Sequence, residues 1–219
     1  MTRTPALYAL TSATVGTALR RIWRPQVAGL EKIPAGGAII CPNHLSVGDQ
    51  LFLGVTVPRH IAFWAKAEYF RRRLTRPMVT GMGAIPVERA GGRAVLGAFD
   101  AAAPILRAGG LVAVFPEGTR SPDGRLHRGR TGAVRLAAQA GVPIVPAGII
   151  GTRGLRPGGI LRPGRHPVSI TFGEPLIVGG SSVRQDTDEL MRRIQALTGQ
   201  EYVPRYAPPS ESRRRSIAT

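Results

Sequence analysis

The sequence predicts an α/β fold: one layered domain with a mostly parallel central sheet flanked by helices, preceded by an N-terminal amphipathic helix. Three observations carry this. Short apolar runs of strand length alternate with helix-length periodic segments along the chain. Glycine and proline punctuate nearly every junction between them. The 219 residues, 43% of them hydrophobic, suit a single domain with a substantial core.

Taken in order, "GGAIICP" (residues 36–42) reads as a buried strand and "SVGDQLFLGVT" (46–56) as a helix, with Ser46 as its N-cap. "HIAFWAK" is a second strand and "GAIPVER" a short third. "GRAVLGAFDAAAPILRAG" is a helix that Gly109-Gly110 stops, and Pro104 predicts a kink or an early end. "LVAVFPEG" is a strand and "GAVRLAAQAG" a helix ended by Gly141. "VPIVPAGI" is a strand interrupted by prolines, and "HPVSITFGEP" a late strand. The last helix falls within "SSVRQDTDELMRRIQALTG", with its regular part expected from Thr187. Residues 25–203 form the main domain. Residues 204–219 are polar, proline-rich and basic, the composition of a disordered tail.

The formal net charge is +17 and nearly all the positive charge is arginine, with lysine only at Lys32 and Lys66. That balance suits an anionic partner: nucleic acid, anionic lipid or a phosphorylated substrate. GC-rich codon usage favours the same residue. Nucleic acid is the weaker expectation, because aromatic residues are 5% of the chain and no stacking or recognition motif is present. Cys41 is the sole cysteine, which excludes an intrachain disulfide, and it is expected to pack as a small hydrophobe. The four histidines are unclustered, so no metal site is expected. No signal-peptide pattern opens the chain.

Residues 1–24 are read as an interfacial helix. The uncharged run Thr4 to Leu19 is shorter than the roughly 20 residues of a spanning helix. Arg20, Arg21, Trp23 and Arg24 follow it, a basic and aromatic edge suited to an anionic membrane surface. Packing of that helix on the domain is the competing explanation.

Four stretches carry chemistry. In "NHLSVGD", His44 stands before the expected cap and Asp49 lies on the first helical turn. Asp49 can serve the cap, or it can accept the imidazole N–H and free the other ring nitrogen to take a hydroxyl proton. In "VFPEGTRS", a strand runs into a turn holding Glu117, Gly118, Thr119 and Arg120. Arg125, Arg128 and Arg130 follow, with Gly124 and Gly129 between them. This is a phosphate site of arginines and turn amides, or a solvated basic loop. "GAIPVER" places Arg89 after a strand, and "VPIVP" alone reads as a core or edge strand.

Together the four blocks resemble the 1-acylglycerol-3-phosphate (lysophosphatidic acid) acyltransferases of the glycerolipid acyltransferase superfamily. The N-H-x-x-x-x-D pattern matches Asn43, His44 and Asp49. The G-x-x-x-x-x-R block matches Gly83 to Arg89, F-P-E-G-T-R-S matches Phe115 to Ser121, and V-P-I-V-P matches Val142 to Pro146. The blocks fall in the family's order, and the likeness spans about residues 25–180.

The resemblance implies transfer of an acyl group from acyl-CoA or acyl-carrier protein to a lysophospholipid hydroxyl, without a cofactor or a protein nucleophile. It implies His44 as general base and Asp49 as its partner. Arg89, Glu117, Gly118, Thr119 and Arg120 would hold the acceptor's head, with Arg128 and Arg130 as further phosphate contacts. It implies an enzyme on the cytoplasmic face of the cell membrane, peripheral or monotopic. The acceptor stays open among 1-acylglycerol 3-phosphate, another lysophospholipid, glycerol 3-phosphate and an amino-lipid. A basic nucleic-acid- or membrane-binding protein without catalysis is the alternative of another class.

Overall fold

The computed structural model describes residues 5–87, 92–155 and 167–208. A seven-stranded sheet is built from β1 (Gln26–Ala28), β2 (Ala38–Pro42), β3 (Ile61–Lys66), β4 (Ile85–Val87), β5 (Leu111–Ala113), β7 (Ile144–Ile150) and β8 (Ser169–Phe172). Its order is β1-β8-β7-β2-β5-β3-β4. Every neighbouring pair is parallel except β7 and β8. The mostly parallel sheet expected from the sequence is therefore present. Between β5 and β7 lies β6 (Leu126–His127), which pairs in a separate two-stranded sheet with β9 (Tyr202–Val203). Two-residue strands leave no periodic signal, so neither was legible beforehand.

The strand β2 is buried along its whole length because helices cover both faces of the sheet. Ile39 and Cys41 join the core formed with α6 (Gly92–Arg107), α7 (Gly132–Ala140) and α8 (Val183–Thr198). Ala38 and Ile40 join the opposite core, with Leu19 and Trp23 of α2 (Thr17–Trp23) and Phe52 and Leu53 of α3 (Gly48–Thr56). Alternate residues thus serve alternate layers. Cys41 is fully buried, and burial pushes its thiol pKa up, as befits a core side chain.

Several expected boundaries move. Helix α6 runs through Pro104 to Arg107, because Pro104 sits in the exposed last turn and forfeits one bond there. Helix α8 starts at Val183, four residues before Thr187, on a capping box between Ser182 and Gln185. Strand β7 is continuous across Pro146, where the sequence predicted an interruption. Pairing with β8 begins one residue later, at Ala147, and the Pro146 carbonyl accepts from the Gly173 amide at 2.8 Å. The missing N–H falls at that gap in the ladder.

The N-terminal segment is helical from Ala6 to Trp23, as α1 (Ala6–Thr11), a π-helical turn (Ser12–Gly16) and α2. Tyr8, Leu19 and Trp23 face the domain, and Trp23 packs edge-on against Phe52 at 5.2 Å. Trp23 is thus a core residue and not the interfacial one expected. Leu10, Val15 and Ile22 point outward. The short helix α5 (Arg76–Gly81) lies beside α1 and packs with α4 (Ala67–Arg71), and the link between α4 and α5 exposes Leu74 almost entirely.

Residues 204–208, expected to open a disordered tail, are placed against the domain. The Arg128 amide donates to the carbonyls of Val203 and Arg205, and Ala207 is buried. Residues 209–219 lie outside the described residues.

Candidate active site

Three adjacent parallel strands, β7, β2 and β5, point their carboxyl ends the same way, and the loops beyond those ends meet. This edge is where an open α/β sheet holds its ligands. The loop after β2 brings His44, the loop after β5 brings Glu117 to Arg120, and the loop after β7 brings Thr152.

Asn43 extends the β2–β7 ladder with its side chain. Its Oδ1 accepts the Ile149 amide at 2.7 Å and its Nδ2 donates to the Ile149 carbonyl at 3.0 Å. The same nitrogen donates to Gln200 Oε1 at 2.8 Å. This fixes the chain one residue before the histidine.

His44 Nδ1 lies 2.8 Å from Asp49 Oδ2. A carboxylate can only accept, so Nδ1 carries the proton and Nε2 is left as the basic nitrogen. No hydrogen bond engages Nε2 among the described residues. The imidazole lies against the Phe115 ring, with centroids 3.9 Å apart and planes at 24°. Its side chain is 13% exposed, enough for a substrate hydroxyl to reach one edge.

Asp49 is wholly buried and has four donors. Its Oδ2 accepts the Leu45 amide at 2.6 Å and the Ser46 amide at 2.8 Å as well as the imidazole. Its Oδ1 accepts the Thr152 hydroxyl at 2.5 Å. A buried carboxylate is tolerated only when so satisfied. Ser46 is not the helix cap that the sequence suggested. Helix α3 starts at Gly48, and Ser46 Oγ accepts the Gly48 amide inside the turn. Capping and catalysis were posed as rivals for Asp49. One oxygen organises the turn amides and the imidazole together.

Glu117 departs from its expected role. It is 1% exposed, and both its oxygens face inward. Oε1 accepts the His44 amide and Oε2 the His127 amide, each at 3.0 Å. Burial pushes its pKa up to about 7, against the lowering effect of those amides and of the His127 charge; the Asp49 charge adds to the rise. Glu117 therefore joins the His44 loop to the arginine loop, with its carboxylate turned to two backbone amides.

Thr119 is buried, while Gly118 and Arg120 are exposed. No ion pair or side-chain hydrogen bond engages the Arg120 guanidinium among the described residues. The Ser121 amide donates to the His44 carbonyl at 2.7 Å, which ties the Arg120 turn to the His44 loop. The Arg130 amide donates to the Pro116 carbonyl, and its side chain crosses Gly118 so closely that a Cβ there would lie 2.8 Å from Arg130 Cδ. Gly118 also has φ +71°, so glycine is needed twice over. Arg128 and Arg130 converge on the Tyr206 ring, at 5.5 and 5.0 Å from its centroid. Arg125 is not available to a phosphate, being paired with Asp123 at 2.7 Å and Glu201 at 3.3 Å. Arg89 lies outside the described residues.

Sequence reasoning missed Thr152, Phe115 as a stacking surface, and Tyr206. A cavity of about 420 Å³ also escaped it. Its mostly apolar wall includes Val47 and Leu51 beside and within α3, Val15 of the π-helical turn, Phe63 of β3, and Met78 and Val79 of α5.

Residues 24–150 match the family model described as Acyltransferase. The chain is 30% identical over 139 residues to the chloroplast 1-acyl-sn-glycerol-3-phosphate acyltransferase BAT2 of Brassica napus, covering 63% of this chain and 40% of that protein. It is 31% identical to the chloroplast enzyme LPAT1 of Arabidopsis thaliana, covering 63% and 39%. It thus spans about two fifths of the length of these plant relatives. Among solved structures it resembles the 1-acyl-sn-glycerophosphate acyltransferase PlsC of Thermotoga maritima, with TM-score 0.63 and 27% identity, over 86% of this chain and 82% of that one. With the sheet and these likenesses in agreement, the chain belongs to the family that this model describes, Acyltransferase.

Proposed function

We propose that this chain moves an acyl group from a thioester donor, acyl-CoA or acyl-carrier protein, to the free hydroxyl of 1-acylglycerol 3-phosphate, giving phosphatidic acid. The observation that carries this is His44 Nδ1 held at 2.8 Å from a buried carboxylate with Nε2 unengaged. Nε2 takes the hydroxyl proton as the oxygen attacks the thioester carbonyl. Asp49 stabilises the imidazolium that forms and holds its tautomer. Collapse of the tetrahedral adduct expels the thiolate, and the imidazolium returns the proton to it. Atoms balance without a protein nucleophile or a cofactor, because the thioester is already activated.

Arg120, Arg128 and Arg130 suit the acceptor's phosphate, since a guanidinium binds phosphate oxygens through paired donors. The apolar cavity beside α3 suits an acyl chain, in both volume and lining.

The same reading places the protein on the cytoplasmic leaflet. No helix among the described residues is long and apolar enough to cross a membrane. Leu10, Val15, Ile22, Leu74 and Met78 are exposed, and so are Arg21, Arg24, Arg72 and Arg73 of the same segments. Apolar insertion with basic headgroup contacts holds a protein on a bilayer without spanning it.

The test offers the purified chain acyl-CoA with a panel of acceptors: 1-acylglycerol 3-phosphate, glycerol 3-phosphate, a lysophospholipid with a larger head, and an amino-lipid. Phosphatidic acid as the dominant product supports the proposal. Preference for another acceptor reassigns the substrate, and no transfer to any of them overturns it.

A further inference from the structure

We propose that Tyr206 is a positioning residue for the acceptor's anionic head: its ring gathers the Arg128 and Arg130 guanidiniums into one fork for a phosphate monoester. The identity of that ligand rests on the acyltransferase reading above.

Tyr206 lies far beyond residue 150, where the match to the family model ends. It is carried by a strap, residues 199–207, that returns from α8 across the arginine loop. Strand β9 pairs in parallel with β6. Gln200 Nε2 donates to the Gly124 carbonyl at 2.7 Å, and Gln200 Oε1 accepts from Asn43, the residue before the base. The Leu126 amide donates to the Glu201 carbonyl. Ala207, the next residue along the strap, is buried.

Two guanidiniums brought to one ring repel each other. The ring's negative face offsets part of that repulsion and restricts two flexible side chains. Among the described residues no carboxylate pairs with either arginine. The third arginine nearby, Arg184, is already committed: it forms an ion pair with Asp188 and donates to the Gly129 carbonyl at 2.8 Å. Glu201 is likewise taken by Arg125. The fork therefore carries charge that no carboxylate among the described residues compensates. The fork also reaches the base's loop, because Arg130 crosses Gly118 and Glu117 accepts the His44 amide. Pre-ordering two cations lowers the entropic cost of binding a dianion.

The test compares the full chain with Y206L and Y206F. Calorimetric binding of a short-chain 1-acylglycerol 3-phosphate is measured beside steady-state kinetics and melting temperature. Removing two cation–π contacts predicts that Y206L weakens acceptor binding, and raises its KM, about 5- to 30-fold. The KM for acyl-CoA and the kcat carry little of the loss. Y206F restores most of the affinity. Equal acceptor binding by Y206L and the parent overturns the proposal, as does a uniform loss in both substrates that follows a lowered melting temperature. A parent chain that binds the phosphorylated lipid but transfers no acyl group defeats the catalytic reading, while the same Y206L comparison still decides the fork. A parent that binds no phosphorylated lipid defeats both.

Discussion

Thr152 and His44 are joined through one buried carboxylate. The Thr152 hydroxyl donates to Asp49 Oδ1 at 2.5 Å, and His44 Nδ1 donates to Asp49 Oδ2 at 2.8 Å. The loop after β7 thereby sets the aim of a side chain on the loop after β2.

Thr152→Val keeps the shape and removes the donor. One oxygen of a buried carboxylate is then unpaired, at a cost of about 1–3 kcal/mol. Melting should fall by several degrees and kcat by about tenfold, with both KM values little changed. Thr152→Ser should recover most of both. A valine variant with unchanged kcat would remove Thr152 from the account.

Asp49→Asn replaces an acceptor of four hydrogen bonds by a group that also donates. The imidazole loses its tautomer control and the charge that stabilises its protonated form. Turnover should fall by about 10²–10⁴, well beyond the loss of folded protein measured on the same sample. If activity and folded fraction fall together, Asp49 is only a turn organiser.

Glu117 makes stability depend on pH. Its pKa is about 7 in the folded protein because of burial, above its ordinary value of 4.5. Between those values the folded chain keeps a proton that the unfolded chain releases. Stability should therefore fall as pH rises through that window and level off above about 7. Glu117→Gln should flatten this segment of the melting-temperature profile. It should also lower the whole curve, since the amide group cannot accept from both the His44 and His127 amides. Parallel profiles for the two proteins would show that Glu117 does not titrate there.

Arg120→Ala should raise the KM for the phosphorylated acceptor about tenfold or more, from loss of a charge-assisted contact of about 1.5–3 kcal/mol. The KM for acyl-CoA should hardly move. An effect confined to the donor would place Arg120 on the CoA side.

How far the sequence spoke depended on the range of each interaction. The alternating apolar runs and glycine stops announced the layered parallel sheet, because each is a local pattern. His44 and Asp49 were readable for the same reason, five residues apart in one turn. Thr152 lies 103 residues from Asp49, and no spacing rule links them. Glu117 was named for the acceptor's head, but its motif does not tell whether the carboxylate faces solvent or, as it does, two backbone amides. Arg125 stood among phosphate candidates until Asp123 and Glu201 were seen to neutralise it. Tyr206 fell in a segment read as tail from its prolines and charge. The proline composition was a poor guide where the Arg128 amide holds the strap in place.

The central claim is that His44 acts as the base for transfer to the lipid hydroxyl. The most direct measurement is formation of phosphatidic acid from acyl-CoA and 1-acylglycerol 3-phosphate by the parent chain and by His44→Ala, with melting curves for both. The account predicts a folded variant whose turnover falls by at least the 10²–10⁴ that general-base catalysis typically contributes. A folded His44→Ala protein that makes phosphatidic acid at a near-normal rate would contradict it.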